Sequence, residues 1–464
     1  MNAKHLKQLG IPSAAVKTGL KAVGQARRTG DSPDEIRRTI KSLVASPDAY
    51  LDTPVWGDLA AQVARILSAQ AAYRQRDEPV PYRQWGRDHE SGALQQMSNA
   101  VKLPVAMAGA LMPDAHQGYG LPIGGVLGTH NSVIPYAVGV DIACRMKLTV
   151  LDMPVSDIDE REDALRNAIS RETRFGIGSS FKQRRDHAVM DEDWSVTGTT
   201  SKSRDKAWSQ LGSSGSGNHF VEFGELELGE PDLGLESGVY MALLSHSGSR
   251  GTGAAVAGHY SKLAMSLHPE LPKELAHLSW LELDSEEGIE YWSAMQLMGK
   301  YAAANHELIH RSIARNLGVE VLADLENHHN FAWKETHGGE EMVVHRKGAT
   351  PAGEGVLGII PGSMGTPGYV VRGKGKPESL NSCSHGAGRR MSRTQAKKTF
   401  NWEDTHSFLE AQGVKLISAG LDEVPGAYKD IEAVMTAQRD LVHRVAQFRP
   451  RLVKMAPPGE RPED

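Results

Sequence analysis

His385 is the centre of the most chemically suggestive stretch of the chain, Asn381-Ser-Cys-Ser-His-Gly-Ala-Gly-Arg-Arg-Met-Ser-Arg393. Gly386, Ala387 and Gly388 follow it directly, and such small residues leave backbone N–H groups bare enough to nest an anion. Arg389, Arg390 and Arg393 add positive charge and planar donors suited to phosphate. A histidine beside such a cradle can serve as a general acid, a metal ligand or a nucleophile on phosphorus. The plain alternative is a glycine turn with a surface histidine and a solvated basic helix start.

Metal-ligand chemistry recurs earlier in the chain. Asp141 and Cys144 are three residues apart, which separates side chains on a strand but unites them on a turn or helix. A carboxylate and a lone thiolate converging there would hold a metal; a buried cysteine near a capping aspartate is the competing reading. A glycine loop, Leu211 to Gly217, delivers Asn218 and His219 onto a strand. Its alternation sets His219, Val221 and Phe223 on one face, and Asn218, Phe220 and Glu222 on the other. His246 closes an apolar strand before a Gly/Ser/Arg turn, and Glu326 to Asn330 offers His328 and His329.

Two further matches are weaker. His306-Glu-Leu-Ile-His310 fits the zinc-helix pattern, with Glu307 in the place of a base, but no third ligand follows at the expected spacing. Gly368 to Gly375 has the core of a phosphate loop and lacks the Ser or Thr that holds magnesium.

The elements that must position these groups are readable in outline. Residues 1–78 form a helical extension: Ser32-Pro33-Asp34-Glu35 is a capping box, Ile36, Ile40 and Leu43 give an apolar face, and Trp56 to Tyr73 repeats the pattern. Asp77 to Pro81 reads as a linker, and residues 79–464 as the catalytic domain. Within it, Val101 to Gly125 predicts short buried strands with tight turns and Arg161 to Arg174 a helix, while 193–217 is Ser/Thr/Gly-rich and ends in the glycine loop. Helices are also expected over Tyr291–Leu317, Ser392–Thr399, Thr405–Gln412 and, at the end, Tyr428–Gln447.

Composition sets the outer limits. Hydrophobic content of 40% and charged content of 23% fit a globular chain with a substantial core. No apolar run reaches membrane-spanning length, and Met-Asn-Ala-Lys-His-Leu-Lys lacks a signal-peptide core, so the expected location is cytoplasmic. Two cysteines, Cys144 and Cys383, exclude a disulfide framework and suit a reducing compartment. Net charge is −5, yet His345 to Phe400 holds ten Lys or Arg against Glu354 and Glu378, the footprint of a locally bound polyanion.

Six stretches in one order resemble the RtcB family of RNA-splicing ligases: Met-Pro-Asp-Ala-His-Gln-Gly, Gly-Val-Asp-Ile-Ala-Cys, Gly-Asn-His-Phe-Val-Glu, His-Ser-Gly-Ser-Arg-Gly, His-His-Asn and Ser-His-Gly-Ala-Gly-Arg. The resemblance implies an α+β fold, with mixed and antiparallel sheets packed centrally among helices. It implies GTP- and manganese-dependent sealing of RNA, 2′,3′-cyclic or 3′-phosphate to 5′-hydroxyl. His385 matches the nucleophile that takes GMP. Cys144 matches a thiolate bridging two Mn2+ ions, with His246 and His329 completing one site, and Asp141 and His219 the other. Donor chemistry alone would select zinc or cobalt for such a set.

The same resemblance places Asn218, His219, Phe220, Val221, Glu222, His329, Asn330, Pro361, Gly362, Ser363, Met364, Gly386, Ala387, Gly388 and Lys454 against the nucleotide. Arg250 and Arg389 match RNA-phosphate contacts, and Asp114 matches a residue needed for ligation. Gly368 stands where the family commonly has a nucleotide-contacting Ser, and a polar tail follows Lys454 where the family has a terminal Gly. The implied partners are GTP, broken-ended RNA such as tRNA, and an archease-like activator, with no membrane. The rival readings are a guanylyltransferase that caps RNA 3′-phosphates without sealing them, an inactive RNA-end-binding relative, and a metalloprotease using His306 and His310.

Overall fold

A computed structural model of the chain describes residues 1–72 and 75–460. Tyr73, the expected end of the second N-terminal helical pattern, lies outside the described residues, as does the end of the polar tail. The chain forms two compact units. One comprises Met1–Gln75 with Lys262–Ser279, the other Arg76–Ser261 with Trp280–Asp464.

In the first unit, helices α1 (Ala3–Gln8), α2 (Val16–Arg28), α3 (Pro33–Ala45) and α4 (Gly57–Ala72) enclose a core of their own. The capping box of α3 is formed in both directions: Glu35 N–H donates to Ser32 Oγ, and Ser32 N–H donates to the Glu35 carboxylate. Ile36, Ile40 and Leu43 then fall on one face and are buried, together with Leu59, Val63 and Ile66 of α4.

The second unit is built on two large sheets with helices around them, an α+β arrangement. The smaller runs Tyr82–Gln84, Ala106–His116, Ile123–Thr129, Glu340–Lys347, Asn330–His337. The larger runs Leu357–Ile360, Gly368–Gly373, Val442–Met455, Phe220–Leu228, Gly238–Ser247, Arg145–Leu151, Val321–His328, with Lys415–Ser418 beside the 442–455 strand. Its central strands are covered on both faces, which is why Met241-Ala-Leu-Leu244 reads as an unbroken apolar run. Met241 and Leu243 pack with Ile309 and Ile313 of the long helix Glu286–Leu317; Ala242 and Leu244 pack with Met146, Leu148 and Phe448.

One expectation fails here. The terminal helix over 428–447 is instead a short helix, Ile431–Ala437, followed by the strand Val442–Met455. Ala446 and Phe448 alternate with less buried neighbours, a period of two, and the strand gains hydrogen-bonded partners on both sides. The Ser/Thr/Gly-rich segment 193–217 contains a helix, Gly198–Gln210, capped by reciprocal bonds between Thr197 and Thr200. The Gly368–Gly375 motif opens as a strand, Gly368–Gly373, which rules out a phosphate loop there.

Candidate active site

A cavity of about 610 Å³ opens where strands of both sheets of the second unit end. Its floor is a cluster of five side chains. Val140 to Cys144 is a turn, closed by the Cys144 N–H to Asp141 C=O bond of 3.2 Å with Ala143 at φ 58, so the two residues converge as their spacing allows. Cys144 Sγ lies 3.0 Å from His246 Nε2 and 3.5 Å from His219 Nε2. His246 Nε2 lies 3.2 Å from His329 Nε2, and His219 Nε2 lies 3.1 Å from Asp141 Oδ2. Cys144 with His246 and His329 forms one potential metal triad; Cys144 with Asp141 and His219 forms the other. The Cys144 sulfur is the atom they share.

The orientation of these rings is set from behind. The Asn218 carbonyl stands 3.1 Å from His246 Nδ1, and the Ser214 carbonyl 2.9 Å from His219 Nδ1. A carbonyl only accepts, so each Nδ1 carries the proton and each Nε2 turns a lone pair inward. Burial, with His219 nearby, lowers the pKa of His246 to about 3, and burial with His385 nearby keeps His329 neutral too. Burial pushes the Asp141 carboxyl up, but the proximity of His219, Cys144 and Arg250 outweighs it and holds the group below the ordinary carboxylate range. Lone pairs and negative charge thus face one another at hydrogen-bond distance, an arrangement that a cation satisfies and protons do not. The donor set fits two metal ions.

Gly248 is required at this point. A Cβ there would stand 2.1 Å from Asp141 Oδ2, while the Ser249 N–H donates to Asp141 Oδ1 at 3.0 Å.

His385 adjoins the cluster, its ring centroid 5.0 Å from that of His329. Asp114, fully buried, takes His385 Nδ1 at 2.7 Å on Oδ2, and the backbone N–H groups of His385 and Gly386 donate to the same oxygen. Burial pushes the Asp114 carboxyl up, but His385 and Lys429 hold it below the ordinary carboxylate range. A carboxylate on Nδ1 fixes the proton there and leaves the lone pair on Nε2. The sequence did not show this contact between Asp114 and His385.

The family profile described as tRNA-splicing ligase RtcB matches residues 96–455. The chain belongs to the RtcB family. RNA-splicing ligase RtcB of Escherichia coli K12 is 34% identical over 404 residues, covering 80% of this chain and 96% of the relative. The tRNA-splicing ligase RtcB of Nanoarchaeum equitans is 32% identical over 439 residues, covering 78% of this chain and 91% of the relative. That of Thermococcus kodakarensis is 29% identical over 433 residues, covering 77% and 89%. With these metal-ligating residues in place, the chain is an enzyme of the ligase class.

Around this RtcB centre, Asn218, Phe220, Glu222, Asn330, Pro361, Gly362, Ser363, Met364, Gly386, Ala387, Gly388 and Arg389 line the cavity with the cluster itself. Two expected nucleotide contacts do not. Val221 is buried in the core beneath the sheet, and Lys454 opposes it across the strand pair, its ammonium on Ser170 Oγ at 2.8 Å. Arg250 is buried as well, donating to Ser213 Oγ, Gly176 C=O and Ser179 Oγ. Its guanidinium ties the 176–179 and 213 loops together. Gly368 lines the cavity, and a Cβ there would meet Pro361 Cα at 3.1 Å, so backbone has closed in where the family commonly has Ser.

Three cavity residues were missed in the sequence. Lys347 is buried beside Gly348, its ammonium on the Tyr119 carbonyl, and desolvation lowers its pKa to about 7. His116 is held through Nδ1 by the Asp114 carbonyl at 3.1 Å. Glu423 gathers Arg389, Arg393 and Tyr428 at the cavity wall. None stands at a diagnostic spacing, although His116 lies within the Met-Pro-Asp-Ala-His-Gln-Gly stretch.

The zinc-helix pentapeptide is a structural strut in this RtcB. His306 Nδ1 and His310 Nε2 both meet Ser245 Oγ, at 2.8 and 2.7 Å, so a hydroxyl occupies the place a zinc ion would need. Glu307 is exposed and pairs with Arg311 and His187. Glu307→Ala should therefore leave RNA sealing within a few-fold of the parent protein, since exposed pairs contribute little. A gel assay of ligation checks this, and complete loss of sealing in a folded variant would restore a catalytic helix.

Proposed function

We propose that the chain joins RNA 2′,3′-cyclic phosphate or 3′-phosphate ends to 5′-hydroxyl ends, using GTP and two Mn2+ ions, through a guanylate carried on His385. The observation that carries this reading is the pinning of His385 Nδ1 by buried Asp114 beside the two-triad cluster. The relatives named for RNA splicing support the substrate class. Manganese is preferred to zinc on family grounds, with zinc as a competing inhibitor. The setting proposed is the cytoplasm, which suits the free thiols Cys144 and Cys383, with an archease-like protein as activator.

In the first step His385 Nε2 attacks the α-phosphorus of GTP, an N–P bond forms and pyrophosphate leaves. Asp114 stabilises the positive charge that develops on the ring, holding the proton on Nδ1 throughout. Bound metal ions supply neutralisation of charge on the phosphates and alignment of the reacting oxygens. The RNA 3′-phosphate then takes the guanylate: its oxygen bonds to phosphorus and the N–P pair returns to Nε2. Attack by the 5′-hydroxyl on the activated RNA phosphorus forms the new linkage and releases GMP. The Gly386–Gly388 backbone and Arg389 border the space where these phosphates would pass.

Incubation with α-labelled GTP and manganese tests the proposal. An acid-labile, alkali-stable label on the protein is expected, passing to 3′-phosphate RNA and released when a 5′-hydroxyl strand is joined. A protein that takes no label would overturn it, and label passing to RNA without joining would reduce the activity to capping.

A further inference from the structure

We propose that the face of α2 bearing Lys17, Lys21 and Arg28 is an RNA-phosphate-binding surface, a second hold on the substrate supplied by the first unit. The inference rests on the proposed function for its substrate class, RNA. Its grounds are separate, since the match to the family profile begins at residue 96.

Residues 1–30 contain Lys4, Lys7, Lys17, Lys21, Arg27 and Arg28 and no Asp or Glu, in a chain whose net charge is −5. All six are exposed. At about 100° per residue, Lys17, Lys21 and Arg28 fall within roughly 40° of one another, along roughly 16 Å of helix. Gly24 lies in the same stripe, and the space beyond its Cα is open. Gly19, Ala22, Val23 and Ala26 occupy the opposite face and are buried in the unit's own core.

The charge is not explained by helix stability. Arg27 and Arg28 sit in the last turn, where the helix dipole favours cations, but Lys17 sits in the first turn, where it disfavours them. Nor are these groups neutralised: among the described residues, none of the α2 cations forms an ion pair. In the basic run at 345–400, half of the ten cations are paired among the described residues. Arg346 is buried on Glu335, Arg372 is bound to Asp232, and Arg389, Arg393 and Lys397 are held by Asp422 and Glu423. On α2 the cations are exposed, unpaired among the described residues and in line.

Nucleic acid is favoured over a lipid surface by the same geometry. A membrane-binding helix inserts an apolar face; α2 has already buried its own, and Leu20 is its one large exposed apolar side chain among the described residues. What remains outward is a row of cations, suited to phosphates through counterion release.

The test uses the full chain and a 3′-phosphate RNA, titrated by fluorescence anisotropy across a salt series. The Lys17→Gln/Lys21→Gln/Arg28→Gln variant should weaken binding about tenfold or more and lower the slope of log K against log salt by roughly 2–3. Gly24→Lys, which adds a cation in open space, should tighten binding and raise the slope by about 0.7–0.9. Labelling of His385 by GTP without RNA should be unchanged in both variants. Unchanged RNA affinity and slope in both would overturn the proposal, as would a variant that loses only its binding to phosphatidylserine vesicles. Failure of the parent protein to take label would instead count against the proposed function, whatever α2 does.

Discussion

Replacing His385 with alanine should abolish the covalent guanylate while both metal ions stay bound. The five convergent ligands do not include it: His385 contacts the cluster only through the His329 ring, 5.0 Å away, and its Nδ1 is held by Asp114. Cys144→Ser should give the reverse pattern. Its sulfur is the atom common to both triads, and a serine hydroxyl does not ionise near neutral pH to replace a bridging thiolate. Labelled-GTP transfer and elemental analysis on both variants separate the two roles. Label retained in His385→Ala, or two metal ions retained in Cys144→Ser, would contradict the assignment.

Of the ligands proposed for that centre, spacing alone suggested only Asp141 and Cys144, beside the plainer reading of a buried cysteine near a capping aspartate. Asp141 and Cys144 had to meet if the 140–144 segment turned, and it does. His219, His246 and His329 were placed by resemblance, and packing adds that the carbonyls of Ser214 and Asn218 select the tautomers of His219 and His246. Those carbonyls come from loop geometry that no side-chain pattern encodes. Lys347 was illegible for a similar reason, since its distinctiveness lies in desolvation, a property of the folded cavity.

Lys454 shows how a local irregularity defeats a sound pattern. Phe448 to Pro450 oppose Leu226 to Gly224, but a bulge between Pro450 and Leu452 shifts the register, so Lys454 opposes Val221. Without that extra residue it would oppose Phe220, whose side chain lines the cavity. One inserted residue turns every later side chain to the other face. Proline cannot donate to the ladder, and strands accommodate it at such bulges, yet alternation alone does not announce the slip. The helix expected over 428–447 failed on a related point: its apolar residues fit either period, and pairing on both flanks decided for a strand.

Glu222→Ala should cut labelling by GTP strongly and narrow the GTP to ATP ratio by roughly a thousandfold or more. The carboxyl lies on the cavity face of the 220–228 strand, between Leu244 and Val453 in register, and makes no hydrogen bond among the described residues. Guanine offers N1–H and an exocyclic amine side by side, which one carboxylate accepts together; adenine offers no such pair. Each charge-assisted bond contributes about 1.5–3 kcal/mol, and adenine would leave the buried carboxylate unpaired. Burial raises the Glu222 pKa well above the ordinary range, so the free protein holds it protonated to higher pH. The protonated acid has lost half of its accepting edge. Discrimination should therefore weaken as pH falls below that raised pKa and strengthen as pH rises through it. Labelled-nucleotide transfer with GTP and ATP across pH measures both effects. An unchanged ratio in Glu222→Ala would mean that guanine is read elsewhere than at Glu222.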